Sequence, residues 1–382
     1  MNRSLILWVL AGVTLPAAAG AQSDDHLERA RRILAETPLI DGHNDLPWAI
    51  REFEAAPHDV LRYDVTRHTT GHTDIPRLRQ GMVGAQFWSV YIPADYADSG
   101  FARVQLEEID IARQVIARYA GAFELARGAS DIERIFGAGR IASMLGVEGG
   151  HAIENSLGVL RAYYDLGVRY MTLTHGKTTD WADSATDEPQ HDGLTRFGEE
   201  VVREMNRLGM LVDLSHVAPS TMSDALNVTE APVIFSHSSA RALRDHPRNV
   251  PDSILQRLPA NGGVVMVTFV PSFLTTDSVA TIDDVANHIE HIRQVAGIDH
   301  VGIGSDFDGI ESTPVGLEDV STFPALFAEL SRRGWSDEDM RKLAGENLLR
   351  VLRTAERVAR RLQRERPPST ATIEALDRSV SP

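Results

Sequence analysis

The 382-residue chain contains no cysteine. That excludes disulfides and any metal site built on thiolates, so a metal held here must sit on His, Asp or Glu. Bases are also short: 38 Lys and Arg face 54 Asp and Glu, a formal net charge of −16. A nucleic-acid partner needs a basic face and is not expected. No GxGxxG fingerprint follows the first apolar run, which argues against a dinucleotide-binding sheet. No residue-level repeat is visible, and no low-complexity segment beyond the polar C-terminal end. No permanent membrane anchor is expected either. Residues 366–382 lack a hydrophobic tail. The apolar run Leu5 to Ala19 is shorter than the ~20 residues of a membrane span and contains Pro16.

That run has a better reading. Arg3 precedes it and Ala19-Gly20-Ala21 closes it, the pattern of a secretory signal peptide cut before Gln22. Residues 1–21 are therefore expected to be a signal peptide, 22–365 one large domain, and 366–382 a polar tail. Export without cysteine points to a secreted or periplasmic protein, a bacterial periplasm more than an animal cell surface.

Apolar runs recur along the rest of the chain at 39–43, 84–92, 141–148, 168–175, 210–216, 232–237, 263–269 and 300–306. Each reads as a short buried strand. Helical patterns lie between or beside them at 24–36, 104–126, 197–208, 282–295, 323–333 and 337–361, with a capping-box start at Thr281 and Asp284. Eight strands alternating with helices predict an α/β fold, a (β/α)8 TIM barrel, with a doubly wound open sheet as the competing architecture; the site residues and the resemblance given below imply the metal-dependent hydrolase type of barrel. Residues 176–193 are too long for an ordinary turn and are expected on the active-site rim.

The polar residues fall at strand ends. His43 and Asp45 end the first strand, Glu148 the third, His175 the fourth, His216 the fifth, His237 the sixth and Asp306 the eighth. In a barrel these ends share one face, where active sites are built. Any one of the histidines alone reads more readily as a capped strand end than as a ligand. Four histidines and three carboxylates together point to metal. His43 and Asp45 are two apart, so on a strand they share a face and can hold one ion. His216 and His237 can hold a second, with Glu148 as the bridge. Such a pair of ions generates hydroxide near neutral pH and polarises a carbonyl. Asp306 or Asp308 can shuttle a proton, and His175 can donate to an oxyanion. Arg248 either clamps a substrate carboxylate or makes a surface salt bridge. The remaining histidines, including His151, His288 and His291, read as structural.

Eight motifs sharpen this. They are Asp41-Gly-His-Asn-Asp45, Gln86-Phe-Trp-Ser-Val-Tyr91, Gly146-Val-Glu-Gly-Gly150, Leu173-Thr-His175, Val212-Asp-Leu-Ser-His216, Phe235-Ser-His-Ser-Ser239, Arg248-Asn-Val-Pro251 and Gly304-Ser-Asp-Phe-Asp-Gly309. With them the chain resembles the membrane dipeptidase (renal dipeptidase) family, metallopeptidase family M19, from about Leu39 to Arg353. The resemblance implies a zinc-dependent TIM barrel that hydrolyses dipeptides, often with a D-residue at the C-terminal position, with two Zn2+ per chain. It implies that His43 and Asp45 bind one zinc, His216 and His237 the other, and Glu148 both. It gives His175 contact with substrate and oxyanion, Arg248 the substrate carboxylate, and Asp306 the proton. The cysteines and GPI anchor of the animal enzymes are missing here, and the segment Thr268-Phe-Val-Pro-Ser-Phe273 differs from theirs. Side-chain specificity is expected to differ accordingly. The assembly is left open, with a homodimer as one expectation. Two rivals remain: another metal-dependent amidohydrolase barrel acting on a different amide or lactam, disfavoured because those commonly open with His-x-His, and a non-catalytic member of the family, disfavoured because no ligand is lost.

Overall fold

The computed structural model describes residues 18–96 and 100–377, with side chains from residue 25 onward. Most of the expected signal peptide lies outside the described residues. The first helix, Ala18–Glu36, begins before the expected 24 and is gripped in its fourth turn, where Arg29 donates to Asp337 and Ser331.

Nine parallel strands form one sheet. They are β1 (Leu39–Asn44), β2 (Val83–Ser89), β3 (Phe123–Leu125), β4 (Ile141–Glu148), β5 (Val168–Thr172), β6 (Leu211–Asp213), β7 (Ile234–Phe235), β8 (Val264–Val267) and β9 (Val301–Ile303). The order runs β2-β1-β9-β8-β7-β6-β5-β4, and β2 pairs back onto β4 from Ala85↔Ala142 to Ser89↔Gly146, closing an eight-stranded barrel. The eight predicted runs supply these eight strands.

β3 is an addition the sequence did not announce. The predicted helix 104–126 ends at Arg118, and Phe123–Leu125 pairs with the first half of β4. There β4 has a free edge, because β5 joins it only from Leu145 onward. Tyr119 and Phe123 are four residues apart, a helical spacing that masked the turn between them.

Strand residues alternate between two buried layers, as parallel strands covered on both faces require. Ala142 and Met144 of β4 join Ile40, Ala85, Phe87, Tyr170, Leu211, Ile234, Val264 and Met266 inside the barrel. Ile141, Leu145 and Val147 face the surrounding helices. The period of two then aims Gly146 and Glu148 inward, above Met144. Leu348, Leu349, Leu352 and Ala355 of the helix Asn347–Glu365 join the interior cluster and plug the barrel beneath the strands' N-terminal ends. The capping box at Thr281 forms, with Asp284 accepting from the Thr281 backbone N–H at 2.8 Å. Residues 366–377 lie against the helix Arg196–Leu208: Asp377 accepts from the Thr195 hydroxyl and Phe197 N–H at its start.

Candidate dinuclear metal site

The strand ends bring His43, Asp45, Glu148, His175, His216, His237 and Asp306 into one cluster at the mouth of the barrel. Glu148 is its centre. Its Oε1 lies 2.9 Å from His216 Nε2 and 3.3 Å from His237 Nε2, while its Oε2 lies 3.5 Å from His43 Nε2. Asp45 Oδ2 is 3.3 Å from the same His43 nitrogen, and Asp306 Oδ1 is 3.9 Å away. His175 Nε2 approaches Glu148 Oε1 at 3.7 Å. Three overlapping groups with metal-ligand spacing result: His43, Glu148 and His237; Glu148, His175 and His216; His43, Asp45 and Asp306.

The strand argument for pairing His43 with Asp45 does not hold, although the two do meet. The register of β1 breaks between Asp41 and Asn44, and Asp45 has left the strand to precede the helix Leu46–Arg51. The break is held by Asp41, whose carboxylate accepts from the backbone N–H and hydroxyl of Ser305, both at 2.7 Å. Left-handed backbone at His216 (φ 68°) and Asp306 (φ 70°) re-aims two more side chains. For non-glycine residues this is strain of the kind found at functional sites.

Outer partners orient the rings. Tyr170 Oη lies 2.8 Å from His43 Nδ1. Ser236 Oγ lies 2.8 Å from His237 Nδ1 and donates at 2.5 Å to Asp213, which also accepts from the Ser236 N–H. Ser89 Oγ donates to Glu148 Oε2 at 3.2 Å. His43 and His237 thus present Nε2 to the cluster with the far nitrogen engaged, as metal-bound histidines do. Tyr170, Asp213 and Ser236 escaped notice as site residues because each sits inside an apolar strand or beside a ligand; inward register is the signal that finds them.

The donor set fits divalent cations. His43 Nε2 is buried and has no hydrogen-bond partner, and His216 Nε2 and His237 Nε2 face each other at 2.8 Å. Burial, and then nearby Arg248 for His216 and His43 for His237, holds both imidazoles well below the usual histidine range, in the ligating form. Burial acts the same way on His43, but Tyr170, Glu148 and Asp45 outweigh it and raise that ring well above the range. The same anionic field favours a cation in general. Burial tends to raise Glu148, yet His43 and His175 bring it well below the carboxylate range. Asp306 is pushed the other way by burial and by Asp45 and Glu148, against the pull of His43.

A cavity of about 480 Å³ opens over the cluster, walled by Trp48, Tyr91, His175, Arg248, Phe273 and Asp306 among others. Arg248 is 4 % exposed and makes no ion pair among the described residues. Its Nη2 donates to the His237 carbonyl at 3.4 Å, its guanidinium carbon lies 5.5 Å from the Phe273 ring centre, and its Nη1 is buried without a partner. Burial pulls it down to about 10, with Asp306 and Glu148 opposing, so it stays charged at neutral pH. The long segment 176–193 is not part of the cavity wall. It folds behind the strand ends, where Ser184 donates to the His175 carbonyl at 2.6 Å and Asp183 accepts from Gln190, His191 and Gly193.

The sequence profile of "Membrane dipeptidase (Peptidase family M19)" matches residues 27–366. The chain belongs to peptidase family M19. Among its relatives is Dipeptidase verJ of Clonostachys rogersoniana, 46% identical over 351 residues, which are 89% of this chain and 90% of that one. A crystal structure of a metallo peptidase from Rhodobacter sphaeroides, liganded with a phosphinate mimic of the dipeptide L-Ala-D-Ala, superposes with TM-score 0.75 at 27% identity, covering 84% of this chain and 99% of that one. Dipeptidase AC, a metallopeptidase of family M19, superposes with TM-score 0.75 at 28% identity, covering 84% and 98%. This M19 protein is accordingly a metallo-dipeptidase with a barrel fold and clustered metal-binding residues.

Proposed function

We propose that the protein is an exported dizinc dipeptidase whose substrates include L,D-dipeptides. The observation that carries the dinuclear reading is the division of Glu148: one oxygen faces His216 and His237, the other faces His43. A carboxylate so placed would be shared by two ions, with His43 and Asp45 to hold one and His216 and His237 the other. Histidine and carboxylate donors without sulfur suit zinc. Two such ions, when bound, activate a shared water and polarise the scissile carbonyl.

The chain's own residues do the rest. Arg248 receives the substrate's free C-terminal carboxylate through its unpartnered Nη1, which restricts the enzyme to short peptides with that carboxylate near the scissile bond. His175, open to the cavity, donates a hydrogen bond to the carbonyl oxygen as that oxygen gains charge. The Asp306 carboxylate, on the cavity wall with its Oδ1 3.9 Å from His43 Nε2, takes the proton of the attacking water and passes it to the leaving amine. Acceptance of a D-residue draws support from the L-Ala-D-Ala mimic bound by the Rhodobacter sphaeroides relative. Export rests on the residue pattern of 1–21; among the described residues no helix is long and apolar enough to cross a membrane.

The test is a panel of L,L- and L,D-dipeptides with wild type and Glu148→Gln, alongside metal content by elemental analysis. About two equivalents of zinc and cleavage of both classes are expected of the wild type. Full activity of Glu148→Gln, or a single equivalent in active enzyme, refutes the dinuclear reading.

A further inference from the structure

A second cavity, of about 610 Å³, lies beside the first and shares one wall with it: Asp308, Ile310 and Glu311, from the segment after β9. Its other side comes from the segment after β1 and includes Glu52, Phe53, Glu54 and Tyr63. The wall carries no lysine or arginine. Among the described residues, the carboxylates of Glu52, Glu54 and Glu311 have no ion-pair partner.

The shared wall is built around a buried acceptor. The Asp308 side chain is 1% exposed. Its Oδ1 accepts from the His72 N–H at 2.5 Å, and the Thr73 side chain supplies a second, uncharged donor to the buried carboxyl group. The His72 ring supplies no counter-charge through its near nitrogen, because Nδ1 accepts from the Asp308 N–H at 3.0 Å. The approach of this carboxylate depends on Gly71, where a Cβ would fall 2.3 Å from Asp308 Oδ1 and 3.1 Å from the Tyr63 hydroxyl. Phe53 and Tyr63 meet edge to face at 5.2 Å beside it.

Carboxylates with no cation, next to two aromatic rings, make a site for a positive charge on an apolar stem. We propose that this cavity is the subsite for a long cationic side chain, lysyl, ornithyl or arginyl, on the N-terminal residue of the dipeptide. The assignment to that residue rests on the dipeptidase reading, with Arg248 on the C-terminal carboxylate. Arg248 follows β7, whereas the subsite is built from the segments after β9 and β1, adjacent strands two and three places further round the barrel. A dipeptide anchored at Arg248 and spanning the cluster therefore turns its first residue toward Asp308 and Glu311.

The experiment compares kcat/KM for Lys-Ala with norleucyl-Ala, its neutral counterpart of similar length, and Ala-Lys with Ala-norleucine. Wild type should prefer Lys-Ala over norleucyl-Ala by ~10-fold, and the Glu54→Gln/Glu311→Gln double variant should bring that ratio near one. Equal use of Lys-Ala and norleucyl-Ala by wild type overturns the proposal. So does a charge preference confined to Ala-Lys, or a double variant that loses both first-position substrates equally and leaves the ratio intact. Failure to cleave any of the four, neutral ones included, instead sinks the dipeptidase reading and the subsite with it.

Discussion

The Tyr170 ring occupies the space that a side chain at Gly146 would need: a Cβ there would fall 2.0 Å from the ring's Cζ. The missing side chain lets the phenol cross the barrel to His43, where its oxygen sits 2.8 Å from Nδ1. A glycine on β4 thereby fixes the orientation of a candidate ligand on β1.

Gly146→Ala should therefore act twice. Overpacking costs ~1–3 kcal/mol in unfolding free energy, and the displaced ring releases His43. Tyr170→Phe keeps the packing and removes only the hydrogen bond. It should lower metal affinity and activity by ~10–100-fold with little change in thermal stability. Titration of the apoenzyme with zinc, paired with a melting curve, separates the two.

The same logic applies to the other half of the site. Asp213 holds Ser236, which holds the His237 ring. Ser236→Ala should weaken zinc binding ~10–100-fold. Glu148→Gln should exceed either change, with loss of more than ~100-fold in activity and a fall in bound metal measurable by elemental analysis.

Arg248→Ala should raise KM by ~10–100-fold for dipeptides with a free C-terminal carboxylate, the scale of a charged hydrogen bond. Dipeptide amides should be nearly indifferent. An equal effect on both would remove Arg248 from the carboxylate role. Arg248→Lys should recover only part of the loss, since a lysine cannot form the two-pronged contact.

A stability signature lies at Glu108, which is fully buried and pushed up to about 8 by burial, against Arg51, with Asp45 and Glu52 adding to the rise. Its Oε2 takes Arg51 Nη1 at 3.3 Å, and its Oε1 has no partner. The folded state thus keeps a proton that the unfolded chain, near the ordinary glutamate value of 4.5, has released. Stability from this group is complete below about 4.5 and is lost as pH rises through about 8. Glu108→Gln mimics the protonated acid. Relative to wild type it should gain stability progressively between those limits, to a few kcal/mol, and level off above. Chemical denaturation at several pH values checks this, and a constant difference from pH 5 to 9 would refute it.

Much of the site was legible because its residues follow apolar runs, where an ionisable group needs a partner. His43, Glu148, His175, His216, His237 and Asp306 are each found that way. What stayed hidden was non-local. Asp45 was placed by a strand periodicity that the β1 irregularity breaks, and it reaches His43 from the position just before the next helix instead. Tyr170 looks like any aromatic strand residue until β4 and β5 are paired. β3 was concealed by a helical spacing, and only the free edge of β4 gives it a reason to exist. Residues 176–193 were long enough for a rim loop, but Asp183 ties them down through three backbone N–H groups.

The plug of Leu348, Leu349, Leu352 and Ala355 gives the barrel a closed floor. Entry and exit therefore share one mouth, and turnover becomes a matter of queueing. Both amino-acid products must clear the opening before the next peptide can seat. The product bearing the carboxylate, held at Arg248, would be the later to go. Its free form should then compete with substrate, and accumulation of that amino acid would slow the enzyme long before peptide ran out.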